Sequence, residues 1–360
     1  MSEALRAFSQ NPTSVFDLVE LCKNSNELII FLLKSGLLGD RSGLCEICKK
    51  GNVNLTKKEG IFYWKCGASA CRKTISLKKG SFFENSKLEF KTILFLIYCW
   101  IYQLPTKFII ASRLGVSCDK TIVDWKNFCR DVCVEILISD NKKIGGRGHV
   151  VEIDESKFGK RKYNRGRRVD GSWVLGGIDR QTRDTFFEIV EDRSAETLLP
   201  ILIKNIHPES IVISDCWKAY SKLSQHFAEH KQINHSLQFV DPNDKKVHTN
   251  TIESQWRVLK RNVLPRSGTS HKLMSSYFSM YCVQSRYLDE ESTPCPFKGF
   301  LELIKRAYPL DSVKNTPRKD LRDRAKENEP PVETKQVERP PKRRLELSDD
   351  EDFLPGRELF

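Results

Sequence analysis

The length, composition and charge of the chain exclude two broad classes of protein. The chain has 360 residues, of which 39% are hydrophobic and 30% charged, a composition typical of two or three folded domains. No apolar run approaches the roughly 20 residues that a membrane-spanning helix needs, and the N-terminal segment lacks the apolar core of a secretory signal. The sequence therefore predicts neither a membrane protein nor a secreted one.

Positive charge is concentrated in one part of the chain. The net charge is +13, and residues 51–150 alone carry 17 basic side chains against eight acidic ones. A basic surplus confined to one block is typical of a surface that binds a polyanion. On charge alone, the alternative is a soluble domain that is basic for no functional reason.

Four of the twelve cysteines have the spacing of metal ligands. Cys45 and Cys48 are separated by two residues and Cys66 and Cys71 by four, with 17 residues between the pairs. Two thiolate pairs on tight turns can close a tetrahedral site, which predicts a zinc ribbon with a structural Zn²⁺ over residues 42–80. The alternative is four buried thiols without a metal.

The segment after the predicted ribbon resembles a helix-turn-helix. An apolar helix is predicted over residues 87–103, and residues 106–130 then contain a short helical stripe, a turn at 115–117 and a second helix. The apolar side of that second helix is predicted to consist of Ile122, Trp125 and Phe128. Its predicted groove-facing side chains are Lys120, Thr121, Lys126 and Arg130. Any hairpin of two helices shows the same pattern.

Hydrophobic periodicity changes after residue 145 and predicts a mixed α/β sheet covered by helices. Three consecutive strands precede an alternation of helices and strands, which is the order of ribonuclease-H-like nuclease cores. The predicted strands cover residues 149–158, 172–178, 185–190, 210–214 and 236–240. The predicted helices cover residues 195–206, 217–227 and 249–263, and a helical region at 273–310 is expected to pack on the same core.

Three acidic residues lie at notable positions of these predicted elements. Asp154 lies on the first strand, Asp215 ends the fourth, and Glu253 lies in the first turn of the closing helix. Adjacent strands of a ribonuclease-H-like sheet would bring the two aspartates to one point. Three converging carboxylates repel each other unless divalent cations bind, and hard oxygen ligands suit Mg²⁺ or Mn²⁺. Two such ions can catalyse phosphoryl transfer.

A structural role is the alternative for each of these acids. Aspartate at a strand end and glutamate in a first helical turn are common because they cap helices and interact with the helix dipole. Glu152 and Glu155 also flank Asp154. Because side chains alternate along a strand, Glu152 shares a face with Asp154, so periodicity alone does not choose between them.

Motifs spread over about residues 25–270 carry a family resemblance. Besides the cysteine ribbon, they are KKGSFFENSKLEF at 78–90, LGVSCDKTIVDW at 114–125, VEIDESKFGKRK at 151–162, VISDCWKAY at 212–220 and HTNTIESQWRVLK at 248–260. In combination these motifs resemble Merlin-type cut-and-paste DNA transposases and their bacterial, ISXO2-like insertion-sequence relatives. The resemblance maps the family's Asp, Asp and Glu onto Asp154, Asp215 and Glu253.

The resemblance implies a DNA strand-cleaving and strand-joining enzyme that uses two metal ions. Its partners would be double-stranded DNA, as terminal inverted repeats and as target, and a second copy of the chain, since two DNA ends are cut together. His248 would contact DNA or position Glu253. Arg257 and Lys260 lie on the polar side of the same helix and would contact DNA.

A strongly basic run follows the first acid. Seven basic residues and no acid lie between positions 157 and 168, and we expect this link between the first two strands to follow a DNA backbone. The predicted contacts are Lys160, Arg161, Lys162, Arg165, Arg167 and Arg168. A solvated hairpin is the alternative.

The last fifty residues differ in composition from the rest of the chain. Prolines interrupt a run of charges with few apolar residues, which predicts disorder. Residues 340–344 (PPKRR) predict nuclear localisation, and Ser348 before four acidic residues suits an acidophilic kinase. The predicted organisation is N-terminal helices at 1–41, a zinc ribbon at 42–80, a helix-turn-helix DNA-binding region at 81–140, a ribonuclease-H-like catalytic domain at 145–310 and a disordered charged tail at 311–360.

Two other functions compete with the transposase hypothesis. One is a host protein derived from a transposase that acts as a DNA-binding factor and has lost transposition. The other is a ribonuclease-H-like structural or RNA-processing protein, which would leave the helix-turn-helix pattern without a purpose. Retention of Asp154, Asp215 and Glu253 favours the enzyme.

Overall fold

A computed structural model describes residues 14–105, 119–159, 171–234, 244–263, 271–289 and 293–310. Four predicted features lie outside the described residues: the first helix and turn of the helix-turn-helix, the basic residues 160–168, the strand at 236–240 and the charged tail. None of the helices in the described ranges combines the length and apolar character that crossing a membrane requires.

The predicted N-terminal helices are present as α1 (Val15–Lys23) and α2 (Ser25–Lys34). Ser14 begins α1 with a capping box, because its hydroxyl accepts from the Asp17 amide while the Asp17 carboxylate accepts from the Ser14 amide. Asn24 ends α1 and its side chain caps α2. These caps let two short helices follow each other without a loop.

The cysteine-containing segment forms an antiparallel sheet of four strands. They are β1 (Gly43–Leu44), β2 (Asn52–Lys58), β3 (Ile61–Cys66) and β4 (Thr74–Ser76), hydrogen-bonded in chain order. This arrangement agrees with the predicted ribbon. Each cysteine pair lies at or beside a strand end, where a tight turn brings its sulfurs together.

Two helices form the core beside this sheet: α3 (Phe90–Ile101) and α4 (Asp119–Asp140). The predicted second helix of the helix-turn-helix is the start of α4, which continues ten residues beyond the predicted end at 130. Ile122 and Trp125 are buried as predicted, but Phe128 is 45% exposed. That prediction was wrong because the buried stripe, at helical spacing, continues through Cys129, Val132, Cys133 and Ile136.

The second half of the chain contains a five-stranded mixed sheet. Its strands are β5 (Val150–Phe158), β6 (Ser172–Asp179), β7 (Thr185–Val190), β8 (Ile211–Asp215) and β9 (Glu229–Ile233). Their order in the sheet is β7-β6-β5-β8-β9, with the first three antiparallel and β8 and β9 parallel to β5. Helix α5 (Ala195–Asn205) connects β7 to β8. The prediction of a mixed α/β sheet is confirmed, in the order expected of a ribonuclease-H-like core.

The connection between the last two strands differs from the prediction. Residues 217–227 form two short 3₁₀ turns, Lys218–Tyr220 and Leu223–Gln225, instead of a helix. The buried Tyr220 and Leu223 are three residues apart, which matches the 3₁₀ period. The next strand begins at Glu229, two residues after the predicted end of the helix.

Three helices complete the described chain. They are α6 (Asn250–Val258), which continues into a π-helical turn at Leu259–Val263, α7 (His271–Tyr287) and α8 (Pro296–Ala307). Helices α6 and α7 pack on the large sheet. Helix α8 instead joins the core of α3 and α4, where Phe300 contacts Trp100. The prediction that all of 273–310 packs on the sheet is therefore wrong for α8.

Candidate functional site

The four predicted zinc ligands come together between the ends of the small sheet. The sulfur atoms of Cys45, Cys48, Cys66 and Cys71 all lie within 4.8 Å of one another. The Cys45–Cys71 sulfurs are 4.0 Å apart and the Cys48–Cys66 sulfurs 3.7 Å apart. A tetrahedral zinc with bonds of about 2.3 Å places its sulfurs about 3.8 Å apart. A disulfide would need about 2.05 Å. The arrangement therefore fits a zinc ion.

The backbone around these cysteines also favours metal binding. The amides of Gly51 and Lys50 donate to the Cys48 sulfur and lower the pKa of that thiol to about 6, so it ionises readily. A Cβ atom at Gly51 would lie 2.6 Å from the Ala68 side chain and 2.8 Å from the Cys66 sulfur. Only glycine lets the two cysteine turns approach this closely.

Removing one cysteine should remove the metal and loosen the small sheet. Zinc binding would supply much of the folding free energy of residues 42–80. We expect about one zinc per chain by elemental analysis of the wild type. Cys66→Ser should lose it and become sensitive to proteolysis in that segment, while Cys216→Ser, an exposed thiol outside the cluster, should retain it. A metal-free wild type that resists proteolysis there would contradict the assignment.

The first two predicted catalytic acids lie side by side on neighbouring strands. The parallel pairing of β5 with β8 matches Val151 with Val212 and Glu152 with Ile213. Continued by two residues, the same register puts Asp154 opposite Asp215, where side chains of adjacent strands point to the same face. Among the described residues, neither carboxylate has a basic side chain within 4 Å. Two neighbouring carboxylates without a cation are suited to bind one.

The Asp154 side chain is held by the closing helix. The indole nitrogen of Trp256 donates to its Oδ2 atom at 2.9 Å. Burial, together with the charges of Glu155 and Asp215, raises the pKa of Asp154 to about 7 despite that hydrogen bond. The strand residue paired with Asp154 is Gly176, and a Cβ atom there would lie 2.4 Å from the Trp256 ring. Glycine at this position therefore makes room for the indole that orients Asp154.

The structure separates Asp154 from its neighbour Glu152, which periodicity left open. Glu152 is fully buried, and its Oε2 atom accepts from the amides of Thr251 and Ile252 at 2.8 and 2.9 Å. Its Oε1 atom lies 2.6 Å from Nε of Arg180. The carboxylate therefore caps the first turn of α6 and is already neutralised by a guanidinium. Both features assign Glu152 a positioning role.

The other competing acid, Glu155, is also committed to protein contacts. Its carboxylate is 3.1 Å from Nη2 of Arg193, and the Tyr220 hydroxyl donates to it. Glu155 is 8% exposed, and strand alternation places it on the opposite face from Asp154. Of the three acids on β5, Asp154 is the one without a guanidinium partner among the described residues.

Glu253 lies in the first turn of α6 and is exposed. It precedes Trp256 by three residues, so both side chains project from neighbouring positions on the helix. The structure does not gather it into a ligand cluster with the aspartates. Within the described ranges, the four cysteines are the one group of three or more cysteine, histidine or acidic side chains placed to hold a metal ion.

The predicted DNA-contacting residues on α4 differ in exposure. Lys120 is exposed, and Thr121 and Lys126 are half-buried. Arg130 is 5% exposed, with its guanidinium 4.2 Å from the centre of the Tyr277 ring and its Nε atom 3.3 Å from the Ser276 hydroxyl. The prediction that Arg130 faces a groove is therefore wrong, because it joins α4 to α7.

The predicted contacts on and before α6 are accessible to different degrees. Arg257 and Lys260 are exposed, and the Lys260 ammonium lies 5.0 Å from the centre of the Phe158 ring. His248 is half-buried, and its Nδ1 atom and carbonyl oxygen both lie within hydrogen-bond distance of Arg180, at 3.1 and 2.7 Å. His248 therefore belongs to the same network as Glu152.

Four residues of this site were not found from the sequence: Trp256, Gly176, Arg180 and, in its capping role, Glu152. Trp256 lies on the buried, apolar side of its helix. Only its indole nitrogen, directed at Asp154, has the additional role. The one sequence signal was the Gly176–Gly177 pair inside a strand, because glycine there often marks a close approach of another group.

Comparison with known proteins agrees with the motif-based resemblance. Residues 143–288 match the ISXO2-like transposase domain family. An uncharacterized transposase-like protein of Haemophilus influenzae (strain ATCC 51907 / DSM 11121 / KW20 / Rd) is 29% identical over 93 residues, which cover 26% of this chain and 70% of that protein.

Solved structures of two viral proteins are also similar to part of the chain. The HTLV-2 integrase catalytic core domain in complex with magnesium, in its dimeric form, matches 40% of this chain and 87% of its own, with 11% identity and a TM-score of 0.21. The simian T-cell lymphotropic virus intasome in complex with PP2A regulatory subunit B56 gamma matches 54% of this chain and 61% of its own, with 13% identity and a TM-score of 0.23. The sequence matches, and not these low scores, confirm the predicted resemblance: residues 143–288 of this chain match the ISXO2-like transposase domain family.

Proposed function

We propose that the chain is a DDE transposase that cleaves DNA at the ends of a mobile element and joins the freed 3′-hydroxyl to target DNA. The observation that supports the proposal is the register of β5 with β8, which continues toward Asp154 and Asp215 within the residues that match a transposase domain family. Neither acid has a basic partner among the described residues. The test is cleavage of a labelled terminal-repeat duplex by the full-length chain in Mg²⁺ or Mn²⁺.

In the proposed mechanism the protein holds the acids in place before DNA binds. Asp154 and Asp215 would be the principal ligands of the cations, with Glu253 joining from α6. Bound Mg²⁺ or Mn²⁺ would activate the attacking oxygen and stabilise the leaving one. Trp256 fixes the orientation of the Asp154 carboxylate through its indole. Glu152 and Arg180 fix the first turn of α6, which carries Glu253.

DNA binding is proposed to involve two exposed basic surfaces. One is the start of α4 with Lys120, as the second helix of a helix-turn-helix whose first helix would lie within 106–118. The other is the exposed side of α6 and of the π-helical turn that follows it, with Arg257 and Lys260. Lysine and arginine at these positions would contact phosphates near the cleaved bond.

Replacing Lys120 with alanine should weaken DNA binding without affecting the fold. Because Lys120 is exposed, its loss removes a phosphate contact and leaves the core unchanged. The slope of log affinity against log salt should fall by about one. Fluorescence anisotropy of a labelled terminal-repeat duplex, measured over a salt series, checks this. Lys23→Ala, which removes an exposed lysine from α1, is the control. An unchanged slope for Lys120→Ala would contradict the proposed contact.

Two further parts of the proposal concern assembly and location. Two element ends are cut together, so the active species is proposed to be a homodimer or higher oligomer bound to two DNA ends. Nuclear localisation is proposed from the basic motif at residues 340–344. Sedimentation of the chain with terminal-repeat DNA tests the first part, and imaging of a tagged chain with 342–344 replaced by alanine tests the second.

A further inference from the structure

Three side chains beside the proposed active site form a stack of alternating aromatic and cationic groups. The guanidinium of Arg193 lies 4.7 Å from the centre of the Trp173 ring and 4.4 Å from that of the Trp217 ring. Arg193 therefore lies over both tryptophan rings. Trp217 follows Asp215 by two residues, which places one end of the stack next to a proposed metal ligand.

Hydrogen bonds and an ion pair hold this stack in place. The indole nitrogen of Trp217 donates to the carbonyl oxygen of Arg193 at 3.0 Å, and its backbone amide donates to Oδ1 of Asp215 at 3.0 Å. Arg193 is anchored in turn by the buried carboxylate of Glu155, at 3.1 Å. The Trp217 ring and the Asp215 carboxylate are therefore held in fixed positions relative to each other.

Trp217 remains 40% exposed despite these contacts. Because its indole nitrogen already donates to a carbonyl oxygen and Arg193 lies over its ring, the side chain can offer a ligand only apolar ring surface. Lys218, the next residue, is exposed, and the Lys157 ammonium lies 5.5 Å from the centre of the Trp173 ring. A flat apolar surface with cations around it suits a planar ring on a polyanionic chain.

We propose that Trp217 stacks on an unpaired nucleobase of the DNA strand that is cut beside Asp215. The inference rests on the proposed function, because it requires a DNA strand at this site. Bases inside a duplex have both faces covered by their neighbours, so the base on Trp217 is an unstacked one at or next to the cleaved bond. Stacking of this kind is tolerant of base identity, since every base has a flat face. The site would therefore hold the strand end without reading its sequence.

The proposal is tested by DNA binding, which does not depend on cleavage. The full-length chain is titrated in Ca²⁺ against two terminal-repeat duplexes that end in one unpaired nucleotide at the cleavage position, either 2-aminopurine or an abasic residue. The wild type should bind the 2-aminopurine end about 5- to 150-fold more tightly than the abasic end and quench its fluorescence. Trp217→Ala should lose both the preference and the quenching. Trp217→Phe, which keeps a ring, should retain most of them, and Phe16→Ala, an exposed ring on α1, should behave as wild type.

The outcomes separate this inference from the proposed function. A wild type that cuts DNA but binds both ends equally overturns the stacking site and leaves the transposase proposal intact. A wild type that prefers the 2-aminopurine end but never cuts overturns the cleavage proposal alone. Because Trp217 also contacts Arg193, thermal unfolding of each variant is measured first. Even if Trp217→Ala does not fold, equal binding of the 2-aminopurine and abasic ends by the wild type would overturn the stacking site.

Discussion

Replacing Asp154 with asparagine is expected to abolish DNA cleavage by the full-length chain and to leave its DNA binding intact. The amide oxygen of asparagine can still accept from the Trp256 indole, so the side chain keeps its place. The variant loses the negative charge that a bound cation requires. Loss of one ligand in a two-metal site costs several kcal/mol of transition-state stabilisation, on the order of 10³-fold in rate. Cleavage of a labelled terminal-repeat duplex in Mg²⁺ and in Mn²⁺ measures the loss, with Ca²⁺ used to compare binding.

The control for this experiment must be an acid outside the network around the site. Glu152 and Glu155, although they flank Asp154, are both buried in ion pairs and would disturb the fold. Glu191, exposed after β7, is suitable, and Glu191→Gln should cut as well as wild type. If Asp154→Asn also cuts at the wild-type rate, the catalytic acids are misassigned. If the wild type binds the repeat but never cuts it, a DNA-binding protein derived from a transposase becomes the better interpretation.

Local sequence patterns predicted most of the elements of this fold. Strand alternation, strand-end acids and cysteine spacing are signals carried by neighbouring residues, and they located the large sheet and the small one. The register of β5 and β8 agrees with the expected proximity of Asp154 and Asp215, because hydrophobic residues fix which side of each strand is buried.

Features that depend on long-range packing were not predictable in the same way. Helix α8 lies after residues 143–288, which match the transposase domain family, and packs into the core of α3 and α4 more than 150 residues earlier. Its apolar pattern shows that one side of the helix is buried, but it does not identify the helices against which that side packs. For the same reason Arg130 was predicted to be exposed: its helical position is polar, and only α7 supplies the Tyr277 ring that covers it.

The positioning role of Glu152 is another property of distant parts of the chain. Its carboxylate accepts hydrogen bonds from the backbone amides of Thr251 and Ile252 and forms an ion pair with Arg180. No local pattern links these positions. Its effect is to attach the helix that carries Glu253 directly to the strand that carries Asp154.

Glu152→Gln is therefore expected to lower both stability and cleavage, although Glu152 contacts neither metal nor DNA in the proposed mechanism. The carbonyl oxygen of glutamine can still accept from the two backbone amides. Arg180, however, loses its negative partner, and breaking a buried ion pair costs about 3 kcal/mol of unfolding free energy. The first turn of α6 would loosen, so cleavage should fall and require more Mn²⁺ for half-maximal rate, while affinity for the terminal repeat in Ca²⁺ stays near that of wild type. Chemical denaturation and a Mn²⁺ titration of cleavage measure these effects.

The matched control is Glu188→Gln, whose partner Lys204 is 63% exposed. This substitution should change the free energy of unfolding by less than about 0.5 kcal/mol. If the Glu152→Gln protein is destabilised but its cleavage shows the wild-type Mn²⁺ dependence, Glu152 stabilises the fold and does not position the proposed metal ligands.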